Sequence, residues 1–232
     1  MKKNGIAIFD GDSLCEALAD NRRGWAARVA EYYGLENKNF SVSGATITAE
    51  MYTPSGNPRH WVSRNIDKIH EQCPDAECVI FDGGSNDADL LGIGSERLGV
   101  LDPNDFSGNY DDSTFIGAME TLFYKTVNYY PTAKIGFIIC QKMGKPTDKD
   151  GKYFMRAHYF GHAKEVCKKW GIPCLDLWDE CPLNPSLLCY FDSSLDKEGN
   201  VKEGKSYIDG QHLTTAGYDI ISDRIISFVG SL

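Results

Sequence analysis

The chain has 232 residues, of which 42% are hydrophobic and 25% are charged. This composition is typical of a globular protein, and the length predicts one α/β domain spanning residues 1–232. The net charge of −9, from 24 basic and 33 acidic residues, argues against a nucleic-acid partner. No run approaches the roughly 18 apolar residues of a membrane span. We therefore expect a cytoplasmic protein, or an exported one whose leader has been removed.

Apolar runs and helical patterns alternate along the chain. Five short apolar runs predict strands at residues 6–9, 40–42, 78–81, 135–140 and 174–177. Most of them are continuous rather than alternating, which indicates a parallel sheet that is buried on both faces. Amphipathic patterns between and after these runs predict helices at residues 24–33, 60–72, 113–130, 153–170 and 214–229. This alternation predicts a doubly wound α/β sandwich with a five-stranded parallel sheet.

Two long connections interrupt this pattern, at residues 88–112 and 182–208. Both are rich in glycine, aspartate, asparagine and serine. Connections of this length in a compact domain usually form lids or binding loops, or are mobile. We therefore expect these two segments to decide which substrate is bound.

Polar residues follow three of the predicted strands directly. The first strand ends in Asp10-Gly11-Asp12-Ser13, the second is followed by Gly44, and the third is followed by a segment that contains Asn86. In open α/β sheets, sites form outside the carboxyl ends of the strands. We therefore expect Ser13, Gly44 and Asn86 to lie close together.

A histidine and an aspartate near the other end of the chain complete a set suited to acyl transfer. A serine hydroxyl such as that of Ser13 is a poor nucleophile until a base takes its proton, and His212 can be that base. Asp209 lies three residues earlier, where it can orient the imidazole. The amides of Ser13 and Gly44 and the side chain of Asn86 are candidate donors for the oxyanion that forms during acyl transfer.

Together these segments resemble a known family. Gly11-Asp12-Ser13-Leu14, Gly44, Gly84-Ser85-Asn86-Asp87 and Asp209-x-x-His212 are similar to the four blocks of the SGNH (GDSL-type) hydrolases, in the same order. The resemblance extends from residue 8 to about residue 218, over nearly the whole chain. It implies a flavodoxin-like three-layer α/β/α fold.

The resemblance also implies an activity, namely hydrolysis of esters of lipids, carbohydrates or small acyl donors. Ser13 would be the nucleophile, His212 the base and Asp209 its partner, with an oxyanion hole formed by Ser13, Gly44 and Asn86. No cofactor and no metal are implied. We expect a small-molecule or carbohydrate ester as substrate, with removal of an acetyl group from a carbohydrate as first choice. A lysophospholipase or thioesterase of the same family is the alternative.

Two other interpretations compete with this one. Asp10-Gly11-Asp12-Ser13 also resembles the opening of the haloacid-dehalogenase-type phosphatases, in which Asp10 would attack phosphorus and Asp12 would act as acid with Mg²⁺. That interpretation leaves Asp209 and His212 without a role. The other is a catalytically silent binding protein on the same fold, which the presence of all the block residues disfavours.

The eight cysteines and two further histidines lie outside these motifs. The eight cysteines form no Cys-x-x-Cys pair, so we expect buried free thiols, with Cys181 and Cys189 as a possible disulfide in an exported protein. His158 and His162 are one helical turn apart but lack the glutamate of a His-Glu-x-x-His motif. We therefore interpret them as a packed or solvated pair rather than as metal ligands.

Overall fold

The computed structural model describes residues 1–21, 23–194 and 205–232. All five strands pair in parallel in one sheet of order β2-β1-β3-β4-β5. The strands are β1 (Ile6–Asp10), β2 (Glu36–Asn39), β3 (Cys78–Asp82), β4 (Lys134–Ile139) and β5 (Cys174–Asp176). The predicted five-stranded parallel sheet is confirmed.

Helices cover both faces of this sheet. They are α1 (Ser13–Glu16), α2 (Trp25–Tyr33), α3 (Val62–Gln72), α4 (Ser85–Leu91), α5 (Phe115–Tyr129), α6 (Lys152–Trp170), α7 (Leu177–Glu180) and α8 (Thr215–Ser231). The five predicted helices correspond to α2, α3, α5, α6 and α8, with ends within two residues of the prediction. Thr214 caps α8 through a hydrogen bond from the Gly217 amide, so Asp209 is not the cap of that helix.

Two apolar layers separate the sheet from its helices. Alternate strand residues point to opposite faces, so Ile8 of β1 packs with α3, α5 and α6, whereas Phe9 packs with α2 and α8. In the same way, Val79 and Ile80 of β3 point to opposite faces and belong to different apolar layers. The central strands β1 and β3 are buried on both faces, which explains why their sequences are continuously apolar. The architecture is therefore the three-layer α/β/α sandwich that the resemblance implies.

The second strand lies earlier in the chain than predicted. The apolar run 40–42 predicts a strand, but β2 consists of the polar residues Glu36–Asn39 at the edge of the sheet. An edge strand pairs on one side only and needs no apolar side chains to form. The Asn39 side chain accepts a hydrogen bond from the Ser41 amide at 3.0 Å and so turns the chain away after β2.

The connection 88–112 is more ordered than an open loop. Its first residues complete α4, and Glu96–Leu98 form a short 3₁₀ turn. Arg97 donates hydrogen bonds to the carbonyls of Ser113 (2.9 Å) and Ala49 (2.8 Å). Farther along, the Lys169 ammonium group lies 5.0 Å from the ring centre of Phe106. In the other predicted connection, 182–208, residues 195–204 lie outside the described residues.

All eight cysteines are free in this structure, including Cys181 and Cys189. Six of the eight are buried as expected, but Cys174 is half-buried and Cys189 is exposed. Across residues 1–21, 23–194 and 205–232, no helix is long and apolar enough to cross a membrane.

Candidate active site

Ser13 is presented by a sharp transition from strand to helix. The Asp12 side chain caps α1 by accepting a hydrogen bond from the Leu14 amide at 2.9 Å, so the helix begins at Ser13. Gly11 is required by space, since a Cβ atom there would lie 1.7 Å from Oδ1 of Asp82. The chain therefore passes close to the end of β3 before it delivers the Ser13 hydroxyl to a partly exposed position.

The structure brings Ser13, His212 and Asp209 into one chain of hydrogen bonds. Oγ of Ser13 lies 3.0 Å from Nε2 of His212, which is 199 positions away in the sequence. Nδ1 of His212 lies 2.8 Å from Oδ2 of Asp209. In this arrangement the imidazole can accept the hydroxyl proton, while the carboxylate stabilises the imidazolium that results.

Asp209 and His212, the two ionisable residues of this hydrogen-bond chain, shift each other's pKa. Partial burial by itself raises the pKa of Asp209, but hydrogen bonds from His212 and the Gln211 amide outweigh it and lower that pKa to about 2. The hydrogen bond to Asp209 raises the pKa of His212 above its ordinary value of 6.5, against the opposing effect of partial burial. A charged Asp209 therefore favours a protonated His212, as a general base requires once it has taken a proton.

The turn that carries Asp209 and His212 is held by the Asp209 carboxylate and by backbone hydrogen bonds. Oδ1 of Asp209 accepts hydrogen bonds from the amides of Gln211 (2.9 Å) and His212 (2.8 Å). Gly210 has a φ of +84°, a conformation that few residues other than glycine adopt. Its carbonyl accepts a hydrogen bond from the Gly144 amide at 3.0 Å, which fixes the turn to the segment after β4.

Arg156 connects this turn to the opposite side of the site, a contact that the sequence analysis missed. Its side chain is only 3% exposed and makes a two-pronged ion pair with Asp89 of α4, at 2.8 and 2.6 Å. The same guanidinium group donates to the Gln211 side chain, next to His212. Nε2 of Gln141 also binds the Gln211 carbonyl, at 3.2 Å. No sequence motif marks Arg156, because its partners come from distant segments.

The predicted oxyanion donors come from the start of α1, the loop that contains Gly44 and the start of α4. Gly44 has a φ of +79°. Among the described residues, the amides of Ser13 and Gly44 donate no hydrogen bond, so both N–H groups are free for a ligand. Nδ2 of Asn86 donates to the Ala45 carbonyl at 2.9 Å, which fixes the orientation of the side-chain amide and leaves its second N–H available.

Contacts to residues that flank Ser13 bring these donors next to it. Both the amide and the hydroxyl of Ser43, which precedes Gly44, donate to Glu16 of α1, each at 2.6 Å. The hydroxyl of Ser85, which precedes Asn86, donates to Asp12 at 2.8 Å. The five predicted site residues therefore converge at the carboxyl end of the sheet.

Two side chains that the sequence analysis did not assign also hold the Gly44 loop. Arg59 donates to the Gly44 carbonyl at 2.9 Å. Asp87, which is fully buried, accepts hydrogen bonds from the amides of Ile47 (3.1 Å) and Thr48 (2.8 Å). Because Asp87 directly follows Asn86, its position in the third block is a signal that could have pointed to it. The sequence contains no such signal for Arg59.

Asp10 and Asp12 do not face the site as a phosphatase would require. The Asp10 carboxylate is fully buried and binds Nε2 of His60 at 2.9 Å and Nδ2 of Asn65 at 3.0 Å. Asp12 is 2% exposed, and its oxygens are used by the Leu14 amide and the Ser85 hydroxyl. Burial raises the pKa of both carboxyl groups. The structure therefore favours structural roles for both over nucleophile and acid.

The histidine pair predicted to be packed or solvated is located on α6. The rings of His158 and His162 meet edge to face with centres 4.8 Å apart, and His162 also lies 3.2 Å from Glu165. Within the part of the chain that the structure describes, no three His, Cys, Asp or Glu side chains are grouped so that they could hold a metal ion.

Comparison with known proteins agrees with this architecture. The family model of the GDSL-like lipase/acylhydrolase family matches residues 9–220. This chain therefore belongs to the GDSL-like lipase/acylhydrolase family, whose members are ester hydrolases acting on small molecules. No curated protein sequence matches the chain.

Solved structures share the fold at low sequence identity. A protein from Lactobacillus plantarum is similar over 100% of this chain and 99% of its own, with a TM-score of 0.72 and 19% identity. An inhibitor-bound aryl esterase of M. smegmatis covers 98% of this chain and 99% of its own, with a TM-score of 0.64 and 15% identity. A carbohydrate acetylesterase from Sinorhizobium meliloti covers 97% and 99%, with a TM-score of 0.62 and 15% identity.

Proposed function

We propose that this protein is a serine esterase that removes short acyl groups through an acyl-enzyme intermediate. The observation that carries the proposal is the hydrogen-bond chain from Ser13 through His212 to Asp209, with distances of 3.0 and 2.8 Å. Membership in the acylhydrolase family supports the reaction class.

The proposed reaction gives each of the five predicted site residues a role. Oγ of Ser13 attacks the ester carbonyl carbon as Nε2 of His212 takes the hydroxyl proton. The oxyanion accepts hydrogen bonds from the amides of Ser13 and Gly44 and from the Asn86 side chain. The C–O bond to the alcohol then breaks, and His212 passes its proton to the leaving alcohol. His212 next removes a proton from water, which attacks the acyl carbonyl carbon. The bond from that carbon to Oγ of Ser13 then breaks, and His212 returns the proton to the serine.

A short acyl group, with acetate on a carbohydrate as first choice, fits the surroundings of the site. The cavity that adjoins Asp209 and Gln211 has a volume of about 190 Å³ and is lined by charged and polar residues and glycine. Such a lining suits a polar group better than a fatty chain. Support also comes from the fold shared with a protein described as a carbohydrate acetylesterase.

Replacement of the nucleophile tests the proposal. Ser13→Ala is expected to abolish hydrolysis of p-nitrophenyl acetate and covalent labelling by an organophosphate, because no other group can form the acyl-enzyme. Its melting temperature is expected to stay close to that of the wild type, since Ser13 is only partly buried. Ser55→Ala, at an exposed serine whose hydroxyl bonds with Thr53 and Asn57, serves as the control. Turnover by Ser13→Ala equal to that of the control would refute the assignment.

The acyl length and the alcohol are tested separately. We expect kcat/KM to fall from p-nitrophenyl acetate to the butyrate and octanoate esters, and acetate to be released from acetylated sugars. A maximum at octanoate would overturn the short-acyl part of the proposal while leaving the roles of Ser13 and His212 intact.

A further inference from the structure

A second cavity lies where Arg59 approaches the Gly44 loop. Its volume is about 360 Å³, and its wall includes Arg59, His60, Trp61, Arg64, Asn65 and Lys68, from the start of α3 and the residues before it. Arg59 connects the cavity directly to the site, because Nη1 of Arg59 binds the Gly44 carbonyl at 2.9 Å.

The wall of this cavity is cationic. None of its lining residues is acidic, although acidic residues outnumber basic residues by 33 to 24 in the chain. Arg64 is balanced by Asp112, at 2.7 and 2.8 Å, and by Glu50 at 3.2 Å. The remaining positive charges belong to Arg59 and Lys68.

Arg59 and Lys68 have no carboxylate partner among the described residues. Arg59 is half-buried, its one hydrogen bond goes to the neutral Gly44 carbonyl, and its Nε is buried without a partner. A partly desolvated cation that lacks a counter-charge favours the binding of an anion. Lys68 is exposed at the rim, where it can move towards a ligand.

One further acidic group lies close to the cavity without lining it. Asp10 lies behind His60 and Asn65, at 2.9 and 3.0 Å, and is fully buried. Burial raises the pKa of the Asp10 carboxyl against the opposing hydrogen bonds from His60 and Asn65. Trp61 completes an apolar part of the wall and is held by a hydrogen bond from its Nε1 to the Met51 carbonyl at 2.9 Å.

We propose that this cavity binds an anionic substituent of the ester substrate, a carboxylate or a sulfate, while the ester carbonyl lies against Ser13. The proposal rests on the proposed function and narrows its substrate class to esters that carry a negative charge beyond the ester bond. The local positive charge of Arg59 and Lys68 acts against the repulsion expected from the net charge of −9.

Three acetate esters that differ only in charge test the proposal: phenyl acetate, 4-acetoxybenzoate and 4-acetoxybenzenesulfonate. The measured quantity is the ratio of kcat/KM for each anionic ester to kcat/KM for phenyl acetate. Lys68→Met is expected to lower this ratio about fivefold relative to the wild type, and Lys68→Glu to lower it further. The intrinsic reactivity of each ester is the same for every variant, so it cancels when the ratio is compared between variants.

Lys125→Met is the matched control. Lys125 is also a partly exposed lysine, but it pairs with Asp67 at 2.7 Å and does not line the cavity. Its ratio is expected to equal that of the wild type. The advantage of the anionic esters is also expected to shrink in about 1 M salt, because screening at that ionic strength acts within roughly 3 Å.

Each outcome has a distinct meaning. A loss confined to one anionic ester identifies the carboxylate or the sulfonate, the stand-in for a sulfate, as the preferred group and supports the proposal. Equal ratios in the wild type, Lys68→Met and Lys125→Met would overturn it, provided that phenyl acetate is hydrolysed in a Ser13-dependent manner. Failure to hydrolyse phenyl acetate at all, or hydrolysis that persists in Ser13→Ala, would instead contradict the proposed function.

Discussion

The two sides of Ser13 are built in different ways. On one side, Asp209 and His212 belong to a single turn of four residues, in which the Asp209 carboxylate binds the imidazole and two backbone amides. On the other side, Gly44 lies in a loop and Asn86 at the start of α4. These two segments are joined by hydrogen bonds between residues about 40 positions apart, such as Asn86 to Ala45 and Asp87 to Thr48.

The difference indicates how each side should respond to mutation. The acid–base side depends on one carboxylate that both orients the imidazole and closes the turn, so a single replacement affects geometry and protonation together. The oxyanion side distributes its support over Glu16, Arg59 and Asp87, each of which contacts the Gly44 loop at a different point. We therefore expect larger losses on the Asp209 side.

The largest effect after loss of Ser13 itself is expected for Asp209→Asn. The amide cannot stabilise the imidazolium and favours the wrong tautomer of His212, so kcat for p-nitrophenyl acetate is expected to fall by about 10³–10⁴. Asp219→Asn, at an aspartate that pairs with Arg28 away from the site, is the control. A loss of less than tenfold would remove Asp209 from the proposed mechanism.

The pH profile provides a second measure of the same contact. The hydrogen bond to Asp209 raises the pKa of His212 above 6.5. The kcat/KM of the wild type should therefore rise with pH along an ascending limb whose midpoint lies above pH 6.5. Asp209→Asn removes the largest raising influence, and the limb should move to lower pH. A limb that stays in place would show that His212 is not the group that titrates.

Asn86→Ala is expected to cause the next largest loss. Removal of one oxyanion donor typically lowers kcat by about 10²–10³ and changes KM much less, because the contact strengthens only as charge develops on the oxygen. Asn128→Ala, at an asparagine of α5 whose side chain binds the Tyr124 carbonyl, is the control. An effect on KM alone would place Asn86 outside the oxyanion hole.

Arg156→Met is expected to have a smaller effect. It removes the contact that joins the two sides of the site, between Asp89 and Gln211. Displacement of the Gln211 turn should lower kcat about tenfold, within the loss of up to about 10² that a shift of roughly 1 Å can cause. Lys152→Met is the control, because Lys152 also pairs with Asp89, at 3.4 Å, but does not contact Gln211. Equal losses in both variants would mean that only the charge of Asp89 matters.

The same variant should move the pH profile in the opposite direction to Asp209→Asn. The pKa of His212 is raised by Asp209 and, more weakly, by Asp12, and it is lowered by partial burial and by the positive charge of Arg156. Without that charge, the limb of kcat/KM should shift to higher pH. A purely structural role for Arg156 would leave the limb where it is.

Local patterns predicted most of the sheet and helices, and the exception is instructive. Four of the five strands coincide with apolar runs, because most of their side chains pack against the helix layers. The edge strand β2 does not, since its polar residues face solvent and its pairing depends on the backbone of β1. Edge position is a property of the assembled sheet and is absent from the local pattern.

The sequence by itself determined the strand-end position of Ser13 and the turn from Asp209 to His212, because both depend on hydrogen bonds between neighbours in the chain. It also determined which family the chain resembles. Only the tertiary structure decided that Arg156 connects Asp89 to Gln211 and that Asp82 leaves room for nothing larger than glycine at position 11. Such contacts form only when the strand order brings distant segments together, and no spacing along the chain encodes them.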